Sequence, residues 1–331
     1  MTTDSGQFKN DPGAGLLPLY EAKLLHQFTH RWATYAGETA RDLTADELAD
    51  PAQSITPRYW IAADAVNERL AGRWDRGWLL GFRDIARSTD ERTAIFSLLP
   101  RVGVGNNAPI IFFQDPKPLL IGCFIATVSS IAFDFVTRPK VGGVHLNFFI
   151  VNQLPVLPPS SFSAADIAYI VPRVVELVYT AWDIAAFAED VWAEAGGGGG
   201  ASNAGEHGGS PLHTGPTLSP LQAELLRRNA ECNAGADPAL FSPRDGFALP
   251  PYRWDDERRA LIRAELDARI ARLYGLSRDE LRYILDPADV YGPEFPGETF
   301  RVLKEKETKL YGEYRTRRLV LAAWDVEEGK R

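Results

Sequence analysis

The sequence is short of cysteine, of long apolar runs and of basic charge. Its two cysteines, Cys123 and Cys232, stand far apart, so neither a disulfide framework nor a cysteine metal site is expected. No run of about 18 apolar residues occurs, which argues against a membrane-spanning helix. The polar opening residues also lack the plan of a signal peptide. A cytoplasmic protein is therefore the expectation.

The charge balance limits the partners that the chain can have. Its 36 Lys and Arg residues are outnumbered by 44 Asp and Glu residues, giving a net charge of −8. Nucleic acid held by bulk positive charge is thereby disfavoured, and any such contact has to be local or assisted by a partner. With 331 residues, 45% of them hydrophobic, the chain has the length and composition of one large or two ordinary folded domains.

Catalytic and metal-binding motifs are also missing. The turn at 103–107 has neither the third glycine of a dinucleotide-binding loop nor the Lys-Ser/Thr of a P-loop. His26 and His30 are four residues apart, but no third ligand follows, so two polar-face histidines are favoured over zinc. Leu249-Pro250-Pro251-Tyr252 looks like an amino-methyltransferase loop, yet Leu249 cannot accept a hydrogen bond from the target amine. A nuclease site at Asp289, Glu307 and Lys309 is disfavoured because that segment is predicted to be helical.

The most informative stretch runs from Phe124 to Pro159. Apolar residues at three-, four- and seven-residue steps predict one buried helix up to Val136, which Arg138-Pro139-Lys140 ends. Gly142-Gly143 predicts a turn that needs glycine, followed by a short aromatic strand and a proline-stopped strand. The loop between the buried elements carries four candidate recognition residues, Arg138, Lys140, His145 and Asn147.

Other candidates precede this stretch. A helix is predicted over Leu17–Tyr35, a strand over Pro57–Ile61 and a helix over Asp64–Leu70. After the apolar run Trp78–Phe82 come Arg83, Asp84 and Arg92, which suit DNA contact and suit a structural ion-pair network equally well. Two apolar runs then flank a turn that contains Asn106 and Asn107, which predicts a hairpin.

The remainder is predicted to be mainly helical. A long helix or helix pair is predicted over Ser163–Glu194, with an interruption at Pro172. Its apolar stripe is expected to pack against another element, either within the fold or on another subunit. The glycine-rich residues 196–220 predict a linker. Helices follow over 221–230, 254–274 and from a capping box at Ser277, with two more broken at Gly312. Aromatic and basic residues alternate over 311–318, which fits a nucleic-acid or partner surface less well than a solvated helix face.

Several of these segments together resemble a known family. They are LPLYEAKLLHQFTHRWATY, PRYWI, WLLGFRDIARSTDERT, LLPRVGVGNNAP, FDFVTRPKVGGVHLNFFIVNQLPVLPP and the run from LRYILDPADVYGPEF to LAAWD. As a set they resemble the C-terminal target-recognition, or specificity, region of large bacterial adenine-specific DNA methyltransferases and type IIG restriction-modification enzymes. The Gly-Gly to Pro-Pro run also looks like the end of a target-recognition domain in type I specificity subunits. The S-adenosylmethionine loop and the Asn-Pro-Pro-Tyr loop of that family are missing here.

The resemblance implies an α+β fold with a DNA target-recognition domain of short strands and packed helices, followed by a helical C-terminal domain. The predicted parts are a flexible lead over 1–16, this domain over 17–160, docking helices over 161–195, the linker over 196–220 and the helical domain over 221–331. Double-stranded DNA would be the ligand, with Arg83, Arg92, Arg138 and Lys140 on phosphates and Asn106, Asn107, His145 and Asn147 on base edges.

The same resemblance implies that the chain does not catalyse methyl transfer by itself. It would hold no cofactor, S-adenosylmethionine being expected on a partner methyltransferase subunit or domain that receives the flipped adenine. Two alternatives stay open. One is a protein-interaction or scaffold module of a phage-defence complex, and the other is a non-catalytic remnant of a split enzyme.

Overall fold

The computed structural model describes residues 5–197, 218–295 and 299–329, and it shows an α+β fold with a helical C-terminal part. The strands are β1 (Leu16–Tyr20), β2 (Ala33–Ala36), β3 (Thr39–Asp42), β4 (Tyr59–Ala62), β5 (Trp78–Phe82), β6 (Phe96–Pro100), β7 (Gly103–Val104) and β8 (Ile110–Ile111). The helices are α1 (Ala45–Ala49), α2 (Ala63–Leu70), α3 (Pro118–Ser129), α4 (Ile131–Thr137), α5 (Phe148–Val151), α6 (Ala164–Val178), α7 (Ala185–Ala195), α8 (Pro220–Cys232), α9 (Asp256–Leu273), α10 (Arg278–Leu285), α11 (Ala288–Tyr291), α12 (Arg301–Tyr311) and α13 (Arg315–Glu328).

The strands form three small sheets. In the first, β1 is central, antiparallel to β4 and parallel to β7, with Leu19 opposite Gly103. In the second, β2 and β3 form an antiparallel ribbon. In the third, β5 is central between β6 and β8, both antiparallel to it, and every residue of β5 is buried. The predicted hairpin through Asn106 and Asn107 is therefore wrong, because its two apolar runs pair with β5 on opposite sides.

One large core joins the sheets to the central helices. α3 packs against α6, α7 and α9, and α6 also packs against α8 and α9. Most of the apolar stripe of α6, including Val174 and Val175, is buried against this chain, and Ile167 is half-buried, so the partner of the stripe lies within the fold. Residues 198–217 of the predicted linker lie outside the described residues. Leu225 and Ile262, which follow them, belong to the same core as Leu19 and Leu80.

A second core forms the helical C-terminal part. It gathers apolar side chains of α9, α10, α12 and α13 around Ile131 of α4. The predicted capping box at Ser277 and Glu280 is confirmed, and α12 ends as predicted at Gly312, whose φ is +76°. Local signals suffice here because capping and left-handed glycine act within one helical turn.

Several further predicted elements differ from the structure, and the predicted proline-stopped strand is one of them, because residues 152–158 form no strand. Leu17–Tyr35 is strand β1, a one-turn 3-10 helix and strand β2, with Phe28 at φ +61° between them. The predicted helix over 124–136 is two helices, because Ser130 ends α3 and caps α4. The predicted aromatic strand is helix α5. Pro172 lies buried inside α6, which breaks only after Val178.

Among the described residues, no single helix has the length and apolar character needed to cross a membrane. Only when α3 is taken together with α4 and the 3-10 turn after it are this length and apolar character reached. The two parts are bent by 58° relative to each other.

Candidate functional site

Asp134 on α4 is the centre of a buried charge cluster. Its carboxylate is completely buried and lies 3.1 Å from Arg92 Nε and 3.2 Å from Arg138 Nη2. Its other oxygen accepts hydrogen bonds from the backbone N–H groups of Thr93 and Ala94 at 3.0 and 2.8 Å. The carboxylate thus accepts three hydrogen bonds, from Arg138 and the two backbone groups, and forms an ion pair with Arg92, which together compensate its burial.

The two arginines of this cluster also donate hydrogen bonds to backbone carbonyl oxygens. Arg138 donates to the carbonyl oxygens of Ser88 and Glu91 at 2.8 Å and of Thr299 at 2.9 Å, and Arg92 donates to Ser129 O at 2.6 Å. Arg92 is 4% exposed and Arg138 is 5% exposed. Both side chains are buried and directed into the fold, so the predicted contacts of Arg92 and Arg138 with DNA phosphates have no support in this structure.

Arg83 is directed to a backbone carbonyl as well. Its Nε donates to Leu25 O at 2.8 Å, and burial lowers the pKa of Arg83 to about 10. The alternative of an ion-pair network among Arg83, Asp84 and Arg92 is also wrong, because the three side chains have different partners. Arg83 nevertheless lines a shallow groove with Lys23, Arg87, Asp90 and Asn107, so one edge of it stays near the surface.

Three loops meet at Asp84, just after β5. Its backbone N–H donates to Asn107 O at 2.9 Å, and its backbone oxygen accepts from Leu146 N at 2.6 Å. Its side-chain Oδ2 lies 2.8 Å from Nδ1 of His145. Residues 83–87, 105–107 and 142–149 therefore form one surface, which we call the loop surface.

The loop surface presents apolar and polar side chains together. Ile85 is 49% exposed, Val144 45%, Phe148 46% and Phe149 77%. Phe148 also packs edge-on against Phe82 of the buried sheet, which ties the loop to a rigid element. An exposed apolar group of this kind on a fixed frame is typical of a binding surface.

The remaining predicted residues lie around this surface or away from it. Asn147 caps α5, its side chain accepting from Ile150 N at 3.1 Å, and Lys140 is exposed where the loop begins. Asn106 instead borders a separate apolar groove of about 380 Å³ beside β1, β4 and α2. Gly142 and Gly143 have room for a Cβ and no positive φ, so the expectation that this turn needs glycine is wrong.

A second concave site, which we call the cleft, lies between the segment 26–32 and helices α9, α12 and α13. It holds a cavity of about 340 Å³. Its walls combine charged and aromatic side chains, among them His26, Trp32, Trp254, Arg259, Arg263, Lys306 and Tyr311. The His26 and Trp32 rings lie 4.5 Å apart, and Arg259 stacks on Trp254 at 3.6 Å.

The motifs considered at 26–30 and 249–252 have other roles. His30 Nε2 lies 2.7 Å from Asp183 Oδ1 inside the core, whereas His26 faces the cleft, so the two histidines do not share a ligand position. Tyr252 is fully buried and its hydroxyl donates to Leu225 O at 3.0 Å. The Leu-Pro-Pro-Tyr segment is thus a packed connection between α8 and α9.

The carboxylates of the imagined nuclease site are held apart by other partners. Asp289 pairs with Arg282 at 2.8 Å and with Arg317 at 2.5 Å. Glu307 instead accepts from the backbone and hydroxyl of Thr316 at 2.7 and 2.6 Å. Over 311–318, Tyr311 and Arg318 are exposed, as a solvated helix face requires, but Arg315 is buried and pairs with Glu257, so the predicted solvated face holds only in part.

Sequence reasoning did not find the cleft. Arg263 lies in a charged helix with four other arginines of α9, and no local pattern separates it from the residues that face solvent. His26 was considered only as one of a histidine pair in a helix that does not form. No protein-family model, curated protein or solved structure matches this chain.

Proposed function

We propose that the chain is a DNA sequence-recognition module that works with an adenine-specific DNA methyltransferase and contacts the duplex through its loop surface. The observation that supports this best is the meeting of three loops at Asp84. They place His145, Asn147 and the edge of Asn107 beside exposed apolar side chains. The polar side chains of such a surface can hydrogen-bond to base edges, and the apolar ones can contact the methyl group of thymine.

The cations available to the phosphate backbone differ from those expected at first. Arg92 and Arg138 are buried, but Lys23 and Arg87 border the loop surface and Lys140 stands at its start, and all three are exposed. Because the whole chain has a net charge of −8, a few local cations give modest affinity. A partner subunit would supply the remaining contacts and the S-adenosylmethionine site.

The test is DNA binding measured by fluorescence anisotropy at several salt concentrations, with the chain alone and with a methyltransferase encoded beside it. The double variant Arg87→Ala/Lys140→Ala should weaken binding to all sequences and reduce the salt slope by about two, roughly one for each phosphate contact. His145→Ala should instead relax sequence preference, by about 1–3 kcal/mol if it contacts a base. Arg301→Gln, an exposed cation on α12, is the control and should behave as wild type.

Salt-independent behaviour, or unchanged binding by the double variant, would contradict the DNA role. A protein-docking module is the second candidate, favoured by the exposure of Phe149. In that case Phe149→Ser would abolish capture of the methyltransferase while the Arg87→Ala/Lys140→Ala variant still captured it. The two outcomes are therefore distinguishable in one set of proteins.

A further inference from the structure

The cleft contains one cation that the protein leaves without a partner. Lys306 pairs with Glu91 at 2.7 Å, Arg92 with Asp134, and Arg315 with both oxygens of Glu257 at 2.9 and 2.6 Å. Arg259 donates to the carbonyl oxygens of Leu177 and Phe28. Within residues 5–197, 218–295 and 299–329, no hydrogen bond or ion pair reaches the guanidinium of Arg263.

The two acids nearest to Arg263 on α9 make no ion pair with it. Glu265 pairs with Arg173 at 2.8 Å, and Asp267, one turn further along α9, is buried and accepts a hydrogen bond from Ile131 N at 2.7 Å. Burial and the like charge of Arg92 lower the pKa of Arg263, while the charges of Asp267, Glu91 and Glu307 act in the opposite direction. Arg263 is half-buried, and its five N–H donors are left to the water in the cleft. A guanidinium that is open to a concave site can bind a ligand that supplies negative charge.

Two further polar groups in the cleft have no hydrogen-bond partner among the described residues. Gln27 is 4% exposed; its Nε2 donates to Ala94 O at 2.6 Å, but its Oε1 is buried with no hydrogen-bond partner among the described residues. The ring of His26 makes no hydrogen bond in the described part of the chain and lies against Trp32. A strong donor group, a buried acceptor and a planar aromatic wall therefore border one cavity.

We propose that the cleft binds a nucleoside monophosphate, with the phosphate on Arg263 and the base near His26, Trp32 and Gln27. A planar guanidinium suits a phosphate because it can donate two parallel hydrogen bonds. A base suits the other wall because it offers a flat face for the rings and N–H groups for the Gln27 carbonyl. The cavity of about 340 Å³ lies within the range of small-molecule sites.

The test is isothermal titration calorimetry of the full chain with AMP, GMP, CMP and UMP, and with each matching nucleoside and inorganic phosphate. At least one monophosphate should bind tenfold or more tightly than its nucleoside and than phosphate. Arg263→Gln should remove that advantage and leave nucleoside binding unchanged. Arg301→Gln should bind as wild type.

Thermal unfolding without ligand provides an independent readout. Arg263→Gln should melt at the wild-type temperature or above it, because an unpaired charge has been removed, and the monophosphate should raise the melting temperature of wild type alone. The proposal is overturned if no monophosphate binds better than its nucleoside. It is also overturned if Arg263→Gln binds the monophosphate as wild type does, or if the variant melts clearly below wild type.

Discussion

Asp134 illustrates how burial decides the meaning of a charged residue. A buried carboxylate needs opposite charge and hydrogen-bond donors around it, and here two arginines form ion pairs with it while two backbone N–H groups donate to it. Arg92 and Arg138 were reasonable phosphate ligands as residue types, yet the sequence does not reveal that Asp134 faces inward from α4. Their substitution would test the fold, since it would leave a buried carboxylate underpaired.

His26 offers a test by pH. Burial, and then the charges of Arg83, Arg263, Arg92 and Lys306, lower the pKa of His26 well below 6.5. The unfolded chain therefore binds a proton below about pH 6.5 that the folded chain does not, and the free energy of unfolding falls as the pH drops through that region. His26→Gln should flatten this fall by up to about 1.4 kcal/mol per pH unit.

The measurement is urea unfolding of wild type and His26→Gln at pH 7.5, 6.5 and 5.5. Arg301→Gln lacks an exposed charge outside the cleft and should keep the wild-type slope. Equal slopes for wild type and His26→Gln would show that the imidazole already protonates freely in the folded state.

Gly103 sets how closely β7 approaches β1. A Cβ at this position would stand 2.4 Å from Ile61 Cγ2 and 3.1 Å from Leu19 Cδ1, so an added methyl group has to push the strands apart. Gly103→Ala should lower the free energy of unfolding by about 1–3 kcal/mol, as overpacking does. Gly142→Ala, where a Cβ meets nothing within 4 Å, should cost much less. Equal losses in denaturant unfolding would contradict this account.

Helices with local signals could be predicted, whereas elements defined by distant pairing could not. Ser163, Ser277 and Gly312 mark helix ends through contacts within one turn. The segment Leu17–Tyr35 has helical periodicity, but β1 pairs with β4 some forty residues later and with β7 beyond it. Nothing within the segment encodes those partners, so tertiary pairing overrides its local pattern.

The loop surface and the cleft also differ in how far they can be predicted from the sequence. His145 and Asn147 lie in one polar loop between apolar elements, and that arrangement is visible in the sequence. The cleft joins His26 to Arg263 across most of the chain, and they are brought together by the packing of α9 against α3, α4 and α6 and by the hydrogen bond from Arg259 to Phe28 O.

The shared core predicts that the two sides of residues 198–217 depend on each other. Leu225, Tyr252 and Ile270 are fully buried and belong to the core that also contains the N-terminal strands. A fragment ending at residue 197 should therefore bind hydrophobic dyes and lose cooperative unfolding. A full-length chain cut at a protease site inserted within 198–217 should keep both pieces together and unfold as the intact protein does.

Gel filtration and near-ultraviolet circular dichroism distinguish the cut protein from the fragment. Cooperative unfolding of the isolated fragment would show that the N-terminal part completes its own core. Separation of the two cut pieces without denaturant would lead to the same conclusion.

The hydrogen bond from Arg259 to Phe28 O joins residues 231 positions apart. During synthesis it can form only after the second of them has been added to the chain. At a translation rate of about 5–20 residues per second, the arginine follows its partner by roughly 10–50 seconds. During that interval the strands and helices α3 to α7 are already made, but α3, α4 and α6 lack the helix α9 that packs against them in the folded protein. The last third of the chain therefore completes the fold, and the rate of translation sets the time at which this can happen.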